Sequence, residues 1–122
     1  MKKIIVIMLL ISFVFLPSSI FAQDLGKIAK ANFSAAQGEA LYNNSRYEEA
    51  IAPLENAITI RPEHGRAHYF LALAYEKINK KDKAIELLEA YLGSVNQTSE
   101  WVGSIDKEYI AKCQELLAKL KQ

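Results

Sequence analysis

The sequence predicts an all-α fold in which two helix hairpins stack as a short solenoid and a single C-terminal helix caps the stack. Three observations lead there. Tyr47-Glu48-Glu49-Ala50-Ile51-Ala52-Pro53-Leu54-Glu55 returns thirty-four residues later as Lys81-Asp82-Lys83-Ala84-Ile85-Glu86-Leu87-Leu88-Glu89, matching Ala50 to Ala84, Ile51 to Ile85, Leu54 to Leu88 and Glu55 to Glu89. A repeat of that length is a helix pair that cannot bury its apolar face alone and so stacks on a neighbour. Apolar residues recur at three- and four-residue spacing on both sides of these segments. The final segment carries Ile105, Tyr109, Ile110, Cys113, Leu116, Leu117 and Leu120 in helical phase, with only helix formers at 111–114 where a third hairpin would need its turn.

The elements follow in order. Leu25, Ile28, Ala29, Asn32, Ala36 and Ala40 predict a first helix beginning soon after an Asp24 cap, weakened by Gly26 and firm from Ala31 to Asn43. Asn43-Asn44-Ser45 stops it, because those side chains compete for backbone hydrogen bonds. A second helix spans Tyr47 to Ile60. Pro53 bends it without breaking it, since Ile51, Leu54, Ala57 and Ile58 keep their phase. Arg61-Pro62 ends it, and a third helix runs from Gly65 to Ile78. The fourth is expected from Asp82 to Leu92, with Gly93 as a left-handed C-cap and a loose polar stretch at 94–99. Ser104 caps the last helix, which reaches residue 121.

Met1-Lys2-Lys3, the apolar run Ile4 to Leu16 and Pro17-Ser18-Ser19-Ile20-Phe21-Ala22 read as a secretory signal peptide over residues 1–22, cut after Ala22. An uncleaved anchor is the alternative, and only that would bring the protein to a membrane. Pro17 interrupts the run before it reaches the roughly 17–25 residues a spanning helix needs. Removing residues 1–22 subtracts two lysines and no acids, so the formal net charge goes from +1 to −1. A near-neutral domain at 23–122 with interspersed charges gives no support to nucleic-acid binding. Cys113 is the single cysteine, so no internal disulfide is possible. It reads as a packed thiol, the alternative being an intermolecular disulfide.

The repeated pattern resembles the tetratricopeptide repeat, with copies at 31–64 and 65–98 and the helix at 104–121 as the cap. Gly38, Leu41, Tyr47, Ala50, Leu54, Ala57 and Pro62 fill the motif positions of the first copy. Leu71, Ala72, Tyr75, Lys81, Ala84, Leu88, Tyr91 and Asn96 stand at those of the second, Asn96 replacing a proline. Gly38, Ala50, Ala72 and Ala84 are small where paired helices cross closely. Ser34 and His68 occupy the place where the family favours tryptophan, and Gln37 replaces a leucine. The resemblance implies a right-handed α-solenoid whose first helices line a concave groove. On that register Asn32, Ala35, Glu39, Tyr42 and Asn43 lie beside Arg66, Tyr69, Leu73, Glu76 and Lys77. Tyr69 either floors the groove or packs among helices. Such a groove suits a peptide or helix of a partner protein. The carboxylate clamp of chaperone-binding relatives is replaced here by Ala35, Glu39 and Phe70.

No catalytic constellation, cofactor motif or metal site emerges. His64 and His68 stand four apart, but no third ligand is placed to complete a site. His64 is expected in a solvated turn and His68 in the core. The expectation is a non-catalytic scaffold, exported and most simply periplasmic, that binds a protein or peptide. The alternative is a structural subunit that forms a homodimer or a larger assembly through its C-terminal helix, with Trp101, Val102 and Leu120 available to another chain.

Overall fold

The structure, a computed structural model, describes residues 17–95 and 104–122. The apolar leader before Pro17, Asn96, the stretch 96–99, Trp101 and Val102 lie outside them. Five helices follow one another: α1 (Pro17–Asn43), α2 (Tyr47–Ile60), α3 (Gly65–Lys77), α4 (Lys81–Val95) and α5 (Ser104–Leu120). No strand occurs among the described residues. Each helix packs on the next, and α1, α3 and α5 also touch one another in sequence, forming one layer of the solenoid. Helices α2 and α4 form the other layer.

The thirty-four-residue period extends to the hydrogen bonds of the turns. Ser45 and Asn79, the described non-glycine residues with positive φ, sit one period apart at 61° and 62°. The Ser45 N–H bonds the Tyr42 carbonyl at 2.9 Å and the Arg46 N–H bonds that of Leu41 at 2.9 Å. In the second hairpin Asn79 bonds Glu76 at 3.2 Å and Lys80 bonds Tyr75 at 2.8 Å. This left-handed ending satisfies the last helical carbonyls and turns the chain back sharply.

Two apolar clusters hold the stack. Ala35, Ala50, Leu54, Ala57, Ala67 and Leu71 form the first, between α1, α2 and α3. Ala72, Ala84, Leu88, Tyr91, Val95, Cys113, Leu116 and Leu120 form the second, under the cap. Tyr75 and Leu87 pack against both and join them. The cap contributes three fully or nearly fully buried side chains, which explains how so short a solenoid closes its C-terminal end. Cys113 is 0% exposed. Burial pushes its thiol up to about 12, which makes it inert and leaves no surface for an intermolecular disulfide.

Several boundaries differ from expectation. Asp24 lies inside the described part of α1, which already includes Pro17, and so does not stand at its start. Gly26 is tolerated at an exposed position with open space around it. Gly93 is not left-handed, since no described glycine has positive φ, and α4 continues to Val95. Val95 belongs to the second cluster, so its burial outweighs the weak helix propensity of Gly93. Helix α2 runs unbroken across Pro53.

Candidate partner-binding face

A row of aromatic rings crosses the layer of α1, α3 and α5 and takes in the start of α2. Tyr47, at the start of α2, lies 5.2 Å from Tyr42 between ring centroids. Tyr42 stands edge-on to Phe70 at 5.7 Å, Phe70 to Tyr69 at 5.3 Å, and Tyr69 tilts against Tyr109 of α5 at 5.9 Å. These spacings and tilts suit the quadrupole of each ring. All five rings are only partly buried.

Charge borders the row. Lys77 Nζ sits 5.9 Å from the Tyr47 ring centre, and Lys112 Nζ sits 4.8 Å from that of Tyr109 and 6.0 Å from that of Tyr69. Each ammonium is attracted by an aromatic face. Arg66 of α3 forms an ion pair with Glu39 of α1, bridging adjacent helices of the layer. Partial burial raises the Tyr42 hydroxyl pKa above its ordinary value, and Tyr47, Glu76 and Tyr69 raise it further. Those groups therefore share one electrostatic neighbourhood.

The residues expected at the groove divide into those on this face and those serving the fold. Tyr42, Tyr69, Glu76 and Lys77 come together around the rings, and Glu39 pairs with Arg66. Asn43 is exposed at the end of α1. Leu73 is half-buried against the second cluster. Asn32 is tied to α3 through His64, whose Nε2–H donates to its Oδ1 at 2.9 Å. Ala35 is buried in the first cluster and is absent from the face. Phe70, Tyr47, Tyr109 and Lys112 were not expected there. Phe70 reads as a core position, and the connector before α5 breaks the thirty-four-residue register, so no offset from Tyr69 locates Tyr109.

Neither histidine is in a solvated turn. His64 is buried and caps α3, its Nδ1 accepting from the Ala67 N–H at 3.2 Å. Because α1 lies over the turn, its side chain is enclosed while its ring nitrogens face the helix end and Asn32. His68 is buried as expected, stacked 4.2 Å from Tyr91, with Nε2–H donating to the Pro62 carbonyl at 2.8 Å. Among the described residues no three His, Cys, Asp or Glu side chains gather as a metal would need. On the other side of the solenoid, Tyr75, Lys83, Glu86, Leu87 and Ala90 line an open depression of about 330 Å³. There Tyr75 donates to Glu55 Oε1 at 2.8 Å. Its hydroxyl pKa rises to about 12, chiefly through burial and then through Glu55.

A family model described as tetratricopeptide repeat matches residues 35–97, just over half of the chain and both hairpins through the end of α4. The chain belongs to the tetratricopeptide repeat family. Comparison with curated proteins and with solved structures finds no match. Repeats of this family are generally protein–protein interaction modules and typically non-catalytic. This tetratricopeptide repeat protein fills the two tryptophan-favouring positions with polar residues that bond. Ser34 accepts from Asn56 Nδ2 at 2.8 Å across α1 and α2, and His68 bonds Pro62 and stacks on Tyr91. Among the described residues no helix is long and apolar enough to cross a membrane.

Proposed function

We propose that this protein is an exported, non-catalytic scaffold whose α1–α3–α5 face binds a peptide or helix of a partner protein in the bacterial envelope, most simply in the periplasm. The observation that carries the reading is the continuous row Tyr47–Tyr42–Phe70–Tyr69–Tyr109 with Lys77 and Lys112 against its rings. Aromatic anchors turn about only two side-chain angles and so lose little entropy on contact, and bordering charges fix orientation. The leader-like residues 1–22 support export, with Gln23 as the first residue of the mature chain.

Among the described residues, self-association through the outer face of α5 finds no support in side-chain exposure, while Trp101 and Val102 lie outside them. Leu120 is 4% exposed, held in the core of its own chain. Lys107, Glu108, Gln114, Glu115 and Lys119 are among the side chains α5 presents outward.

Affinity capture from envelope extract, with the wild type and with Tyr42→Ala/Tyr69→Ala, tests the reading. The wild type recovers a specific partner and the variant loses most of it while keeping its helical circular dichroism. Equal recovery by both would remove the aromatic face from the function.

A further inference from the structure

The two ends of the solenoid are finished differently. Leu25, Ile28 and Phe33 are 62%, 40% and 65% exposed, and these large exposed hydrophobics of the described residues all lie on α1. At about 100° per residue, Leu25, Ala29, Phe33, Ala36 and Ala40 fall within one narrow arc, opposite the buried Ala31, Ser34, Ala35 and Gly38. The stripe is roughly 22 Å long at helical rise, and Asp24, Lys27, Lys30 and Glu39 all lie outside its arc. The opposite end is closed by α5, whose outward side is mainly charged and polar. Terminal units of a solenoid need such a polar outer side to stay in solution. Helix α1 lacks one.

We infer that the α1 stripe is a self-association surface, and that a second copy of this chain covers it by packing α1 antiparallel against α1. The unlike ends select this arrangement. Head-to-tail stacking would set the apolar stripe against the polar side of α5, whereas a twofold arrangement sets apolar surface on apolar surface and closes at two copies. The stripe also complements itself. With the twofold axis beside residue 31, Phe33 of each copy meets Ala29 of the other and Leu25 meets the region of Ala36. Large side chains thus fall on small ones, and the alanines allow the helices to approach closely. No charged side chain is buried. The stripe begins at Leu25, so the arrangement holds whether or not residues 1–22 are removed. The aromatic face lies on a different side of α1 and stays open, giving each dimer two copies of it.

One helix pair of this length buries less than the roughly 1,200 Å² of a standard interface, so the dimer is reversible and reads out on dilution. Sedimentation equilibrium of the purified protein is expected to show twice the monomer mass at high concentration, falling toward the monomer on dilution. Leu25→Gln/Phe33→Gln changes only exposed positions and is expected to stay monomeric with unchanged circular dichroism, while Ala118→Glu on the outer side of α5 still dimerises. A monomer at every concentration, a dimer that survives Leu25→Gln/Phe33→Gln, or masses climbing past two copies would each overturn the inference. So would a monomer that binds phosphatidylglycerol vesicles through Leu25 and Phe33, which would assign the stripe to a lipid surface.

Discussion

Gly38 of α1 and Leu54 of α2 meet so closely that a Cβ on Gly38 would overlap the Leu54 side chain at Cγ and Cδ2. Leu54 is fully buried at the centre of the first cluster, so it cannot swing away without opening space elsewhere. The absent side chain sets the distance between the first two helices.

Gly38→Ala is therefore expected to destabilise the protein although alanine favours a helix by about 1 kcal/mol over glycine. Overpacking a tight core costs about 1–3 kcal/mol, and the overlap with buried Leu54 puts Gly38→Ala at the upper end, a net loss of up to about 2 kcal/mol. Urea denaturation checks it, with a lower midpoint at unchanged slope. A midpoint at or above that of the wild type would show that the helices can part without cost.

Acid should weaken the fold through His68. Burial holds its imidazole below the ordinary 6.5, outweighing the bond to the Pro62 carbonyl, and nearby His64 lowers it further. Pro62, Tyr91 and His64 are the groups that face it. Below pH 6.5 the unfolded chain takes up a proton that folded His68 resists, so stability is highest above that pH and declines as pH falls toward the folded pKa. His68→Phe should be less stable at neutral pH, having lost the Pro62 bond, but show a flatter decline. Thermal melts from pH 8 to pH 5 decide it, and an equally steep decline in the variant would count against His68.

Asn32 should matter to stability and not to partner recognition. It accepts from the ring of His64, whose other nitrogen caps α3, so Asn32→Ala removes the group that orients the cap. Helix caps contribute about 0.5–2 kcal/mol, and an indirect loss belongs in the lower half of that range. Chemical denaturation paired with partner capture separates the roles: a stable variant that has lost its partner would move Asn32 into the binding site.

Cys113 should resist alkylation by iodoacetamide in the folded protein and react only as it unfolds, because it is buried and its thiol titrates near 12. Rapid labelling of folded protein at pH 8 would contradict the packing of α5 on α4.

What could be read from the sequence was what the repeat duplicates. One period linked Ala50 to Ala84 and Leu54 to Leu88, and the same offset links the left-handed turns at Ser45 and Asn79. Gly38 was legible because only its size had to be judged. Features outside the period were not. Helix α1 runs through Asp24, Gly93 stays helical because Val95 is buried beyond it, and His64 is enclosed by a helix thirty-two residues earlier in the chain. At the candidate site, Tyr42, Tyr69, Glu76 and Lys77 followed from the register of the hairpins. Tyr109 and Lys112 did not, since α5 enters out of register.

Site-specific photo-crosslinking in living cells tests the central claim most directly. A photoreactive residue at position 77 or 112 stands at the edge of the aromatic face, and one at 83 or 90 lines the depression on the other side. The account predicts that 77 and 112 capture the same envelope protein and that 83 and 90 do not. Capture from 83 and 90 alone would contradict it.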